Sequence, residues 1–96
     1  MNLLICAYDI SDNDKRNELT KHLTDELGGQ KLSQSCYIFA TSDTPADFYK
    51  IARDFAPGPN DMLWVARADS GTLQGHANDI TLSIKVRFVQ TKSMTS

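Results

Sequence analysis

Leu3-Leu4-Ile5-Cys6-Ala7-Tyr8-Asp9-Ile10-Ser11-Asp12-Asn13-Asp14-Lys15-Arg16 runs from an apolar strand through an acidic turn into a polar helix. The unbroken apolar or small run from Leu3 to Tyr8, bounded by turn formers, suits a strand buried on both faces. Asp9 stands where that strand would leave the core. A carboxylate in that place is either a turn device or a working group. Ser11, Asp12 and Asn13 already supply turn and cap chemistry, so Asp9 is not needed for that role.

Working outward, Ser11 followed by Asp14 reads as a helix N-cap with an acidic capping box. Leu19, Leu23 and Leu27 then line one face, Lys15, Asn17, Glu18, Lys21 and Asp25 cover the other, and Gly28-Gly29 offers a left-handed stop. From Gln30 to Thr41 the pattern is strand-like with a weak break at Ser33-Gln34-Ser35, which fits two short strands or one long bent one. Thr44-Pro45-Ala46-Asp47 is the clearest helix start in the chain. Phe48, Ile51, Ala52 and Phe55 form its apolar face, and Pro57-Gly58-Pro59 ends it. Asp61 leads into a mostly buried strand over Met62 to Ala66, and a polar, glycine-containing loop follows from Asp69 to Asp79. Residues 80 to 89 alternate, with Ile80, Leu82, Ile84, Val86 and Phe88 on one side, as in a strand with one wet face.

This order predicts an α+β chain with the split βαβ of a ferredoxin-like domain (βαββαβ) and an additional C-terminal strand. Residues 1–90 would form the single domain and 91–96 a frayed polar tail. The first strand is then central. Both helices cover one face of the sheet and leave the other for a partner, a second copy of the chain above all.

At 96 residues the chain has room for one core. Hydrophobic content of 41% and charged content of 23% fit an ordinary globular protein. No apolar run reaches the ~20 residues of a bilayer span, and no basic leader precedes the first apolar segment, so a cytoplasmic location is expected. The net charge of −2 excludes a strongly basic nucleic-acid clamp. Nucleic acid would have to be met through a local basic patch, a metal ion or a more basic partner. Cys6 and Cys36 fall in apolar runs and read as buried, reduced thiols. His22 and His76 read as surface histidines, and Trp64 as a core or dimer-face aromatic. Gly71 and Gly75 lack the lysine of a phosphate-binding loop.

Tyr8-Asp9-Ile10-Ser11-Asp12 followed by Lys15-Arg16, together with Ser35-Cys36-Tyr37, resembles the small CRISPR-associated adaptation protein. That family consists of ferredoxin-like homodimers that partner the spacer integrase in prokaryotic antiviral defence, and some members are metal-dependent endonucleases of RNA or DNA. The resemblance spans residues 2 to 68. It implies that Asp9 of each subunit faces its twin across the dimer axis and binds Mg²⁺, which makes Asp9 both the catalytic and the metal-binding residue. Two carboxylates so close repel unless a hard cation takes them as ligands. The resemblance also implies phosphate contacts for Arg16 and Lys31 and base or sugar packing for Tyr37. Glu18 and Ser33 depart from the family, which often has an arginine and a glutamine there. Ser35-Cys36-Tyr37-Ile38 also resembles the virulence-associated protein D ribonucleases, which share the fold. Against the nuclease stands a catalytically silent dimer acting as an architectural module, with Asp9 a cap, Arg16 a surface cation and Tyr37 a core residue.

Overall fold

In the computed structural model the apolar opening run forms β1, Asn2–Asp9, flanked on both sides by antiparallel strands. The residues described are 1–68 together with Arg87 and Val89. After β1 come α1 (Asn13–Lys21), β2 (Gln30–Ser33), β3 (Cys36–Thr41), α2 (Pro45–Ala52) and β4 (Met62–Arg67). The sheet order β2-β3-β1-β4, with every neighbouring pair antiparallel, is the ferredoxin-like arrangement. The break at Ser33-Gln34-Ser35 is a turn between two strands, and β2 carries a bulge between Lys31 and Ser33.

Registers decide the faces. Leu4, Cys6 and Tyr8 of β1 stand beside Phe39 and Tyr37 of β3 and beside Val65 and Leu63 of β4, all on the side that the helices cover. Leu19 and Leu23 come down from α1 and its continuation, Phe48 and Ala52 from α2, and Phe39 meets Phe48 at a ring separation of 4.7 Å. Each fully buried large side chain contributes roughly 1.5–3 kcal/mol of transfer free energy. The opposite face of β1 and β3 carries Leu3, Ile5, Ile38 and Ala40.

Helix starts and stops follow local chemistry. Thr44 caps α2 by accepting from the Asp47 N–H at 3.2 Å, as its sequence predicts. The first helix is shorter than its leucine repeat suggests. After Lys21 it widens into a π-helical turn over His22–Glu26, where the Thr24 hydroxyl donates to the Thr20 carbonyl at 2.9 Å. Gly28 then adopts φ of 64° and donates to the Thr24 carbonyl, a left-handed stop at the expected place.

Three expectations are corrected. Ile51 is exposed, because the face of α2 that meets the sheet runs through Phe48 and Ala52 and continues to Phe55 in the 3-10 turn that follows. The segment Met62 to Ala66 is not mostly buried: among the described residues β4 is an edge strand, and its Leu63 and Val65 pack against the helix-side core. A strand was expected over residues 80–89, yet its two described residues, Arg87 and Val89, are helical. Val89, which strict alternation assigns to the wet side, is buried against Leu3, Ile38 and Ala40. The remainder of that strand, the loop from 69 to 79 and the boundary between residues 90 and 91 lie outside the described residues.

Gly29 packs tightly. A Cβ there would lie 2.7 Å from the Leu23 carbonyl oxygen and 3.1 Å from that of Ile38, backbone atoms that cannot swing aside. Gly29→Ala is expected to lower stability by about 1–3 kcal/mol, read as a lower urea midpoint with an unchanged slope.

Candidate functional site

The mouth of β1 gathers the polar residues of interest, and the local geometry sorts them. Asp9, opposite Met62, closes the β1–β4 ladder, and its parity puts it on the face of Ala7, Cys36 and Trp64, away from the helices. Its carboxylate is exposed and takes no hydrogen bond or ion pair from the described residues. The helix cap is Asp12, whose Oδ1 accepts from the Lys15 N–H at 3.0 Å. This corrects the expectation that Ser11 is the N-cap. The chain is still extended at Asp12, with ψ of 116°, so Ser11 lies before the helix and binds elsewhere.

Its partner is Asp61. The Ser11 N–H and hydroxyl both donate to Asp61 Oδ1 at 3.0 Å, and the Gly58 N–H donates to Oδ2 at 2.8 Å. Donation from the Ser11 backbone first, then from Gly58, holds the Asp61 carboxyl below the ordinary aspartate range. Sequence reading passed over Asp61. The usable signal was its place at the end of the Pro57-Gly58-Pro59-Asn60 turn, immediately before a strand.

Arg16 is half-buried and turned inward. One guanidinium nitrogen donates to the Ile10 carbonyl at 3.1 Å and the other terminal nitrogen to Asn13 Oδ1. It stands behind the same turn as Asp9 and holds the backbone one residue beyond it. Lys31 sits elsewhere. It lies on β2, separated from β1 by β3, and its register partner is Tyr37, on the face opposite that of Asp9. Tyr37 is buried, its ring parallel to that of Tyr8 at 6.2 Å, and the Tyr8 hydroxyl shares a 2.6 Å hydrogen bond with Thr20. Burial favours the core reading of Tyr37 over base packing. Within one chain, then, Asp9 and Arg16 share a turn, while Lys31 and Tyr37 belong to the other face.

Glu18, which departs from the family pattern, is exposed and pairs with Lys15 at 4.0 Å. His22 is less of a surface residue than expected: its ring lies 6.3 Å from Phe48 and its Nδ1 bonds to Glu26, one helical turn on. Among the described residues no group of three His, Cys, Asp or Glu side chains is placed to hold a metal ion.

Around Asp9 the uncovered face is apolar. Trp64 is 72% exposed and Met62 52% exposed, so Trp64 is not a core residue. Val89 covers the other end of this face, over Leu3 and Ala40. Among the described residues no helix is long and apolar enough to cross a membrane.

No protein-family model matches the chain, and no curated protein matches it. A similar solved structure is that of a hypothetical protein, TT1823, from Thermus thermophilus. It is 22% identical, with a TM-score of 0.59, over 79% of this chain and 90% of that one. That likeness shows the fold: a small α+β domain with a four-stranded antiparallel sheet.

The two thiols differ in reach. Cys6 is enclosed among the helix-side core, and burial pushes its pKa to about 12. Cys36, on the other face, is half-buried, and burial also raises its pKa. A raised thiol pKa means less thiolate at neutral pH, so alkylation of both speeds up as pH rises. Iodoacetamide at pH 8 is expected to label Cys36 before Cys6, as followed by peptide mass spectrometry.

Proposed function

We propose that this chain is a homodimeric, metal-dependent endonuclease of the CRISPR-associated adaptation type, acting on phosphodiester bonds of RNA or DNA. The observation that carries the reading is the untied carboxylate of Asp9 at the end of the central strand. Its turn is already capped by Asp12, braced by Arg16 and held by Asp61, so Asp9 has no structural task there. The exposed Met62 and Trp64 beside it supply an apolar surface for a second copy, whose own Asp9 would complete the pair.

A carboxylate pair suits Mg²⁺, which binds through one or two carboxylates and fills its remaining positions with water and substrate phosphate. Bound there, the ion would polarise a phosphate and lower the pKa of a bound water. Asp9 holds the cation. Arg16 fixes the Ile10 carbonyl, and with it the direction of the strand end, while its remaining N–H donors serve phosphate. Lys31, on the far edge, is the flanking phosphate contact. A cytoplasmic setting and an integrase partner belong to the same reading.

One observation favours a second reading, an architectural dimer without catalysis. Arg16 spends donors on its own turn and Lys31 lies on the opposite face, so these two cations of one chain do not converge on Asp9.

Purified protein incubated with single-stranded RNA and with duplex DNA separates the two. With Mg²⁺ the wild type is expected to cleave, and chelation to stop it. Asp9→Asn is expected to lose at least the ~100-fold that removal of an outer-shell metal partner can cost. Cleavage undiminished in Asp9→Asn would sink the metal-site reading. An inactive wild type that sediments as a dimer and binds nucleic acid would favour the architectural one.

A further inference from the structure

Of the described carboxylates at the mouth of the sheet that the proposed chemistry does not use, Asp61 has the most partners. Continuing the β1–β4 register past the Asp9–Met62 pair would put Ile10 opposite Asp61 and Ser11 opposite Asn60. The turn from Pro57 to Asn60 curls away from that path, with the Asp61 N–H donating to the Gly58 carbonyl at 3.1 Å. The Asp61 side chain takes over the missing ladder rung. Its Oδ1 receives the Ser11 N–H that the backbone of a longer β4 would have taken, and receives the Ser11 hydroxyl as well. Its Oδ2 ties the same carboxylate to Gly58.

We propose that Asp61 is a positioning residue, a latch that clamps the β1–α1 turn to the start of β4 and so fixes the strand end carrying Asp9. The inference rests on the Asp9 reading for its functional consequence, while the latch itself stands on geometry. Asp9 and Met62 are the last ladder pair before the clamp, so both of their backbones are held from beyond. Without it, Ser11 is tied to β4 by nothing else that is described, and the end of β1 can fray from its partner.

Gly58 gives the latch a second, independent handle. A Cβ at Gly58 would stand 2.7 Å from Asp61 Oδ1 and 2.8 Å from its Cγ and Oδ2. The atoms that such a Cβ would meet belong to the seated carboxylate and not to backbone, and φ there is not in the left-handed region. Gly58→Ala must therefore push the carboxylate off its donors while leaving Asp61 in the sequence. Two substitutions of different chemistry converge on one amide, that of Ser11, 47 positions from residue 58.

The test is amide hydrogen exchange by NMR on the full chain, for wild type, Asp61→Ala and Gly58→Ala, with Mn²⁺-induced broadening of the Asp9 signals as a separate arm. Exchange at Ser11 is expected to quicken about tenfold in both variants, the scale of one charge-assisted hydrogen bond, while the amides of Leu4 and Phe39 keep their wild-type rates. In the second arm both variants are expected to need several-fold more Mn²⁺ for half-maximal broadening at Asp9. Unchanged Ser11 exchange in either variant overturns the latch. Faster Ser11 exchange with an unmoved Mn²⁺ midpoint overturns the positioning role. A wild type whose Asp9 signals ignore Mn²⁺ counts against the metal reading alone, and the Ser11 rates then decide the latch.

Discussion

The two-sided ladder of β1 is the constraint on which the rest of the structure depends. A strand with hydrogen-bonded neighbours on both edges satisfies its backbone without water, and the apolar run of β1 is held in this way. Its alternate residues then supply two surfaces at once. Leu4, Cys6 and Tyr8 anchor the core beneath the helices, and Leu3 and Ile5 line the other face, where Val89 comes to rest. The helices need only one stripe each, because the sheet presents its apolar side already assembled.

The end of that strand is organised by a division of labour among short polar side chains. Asp12 satisfies a free helix N–H, Arg16 the Ile10 carbonyl, and Asp61 the Ser11 donors. Backbone groups left without ladder or helix partners where a strand ends and a helix begins need other partners, and these three side chains supply them. What is left over is Asp9, a charge with no structural partner among the described residues, beside Met62 and Trp64. Asp9 is thus an exposed carboxylate flanked by exposed apolar side chains on a sheet face. It gains a physical rationale if a second copy covers it and a cation offsets the paired charge. The net charge of −2 fits that arrangement, since a metal ion rather than a basic groove would then attract phosphate.

Much of the fold was legible because its signals are local. The Thr44-Pro45-Ala46-Asp47 start, the Gly28 stop and the leucine repeat of α1 each depend on neighbours a few residues away, and each appears in the structure. Asp9 as the exit of a central strand was legible for the same reason. The failures at Ser11 and at Met62 to Ala66 are matters of packing partners. Ser11 looked like a cap because serine near a helix start usually is one, yet Asp61, 50 positions on, claimed both its donors. Met62 to Ala66 looked buried because an apolar run does not say whether its strand has neighbours on one edge or two.

The sequence by itself determined the element order from β1 to β4, the split βαβ topology and the place of Asp9 within it, since apolar periodicity and caps are written into adjacent residues. Only the tertiary structure decided which residues share a face. It put Lys31 and Tyr37 opposite Asp9, turned Arg16 inward, left Trp64 in the open and brought Asp61 to Ser11. The physical reason is that strand parity is relative. A residue's own alternation says that it faces one of two sides, and the register with its neighbours, set across long sequence separations, says which.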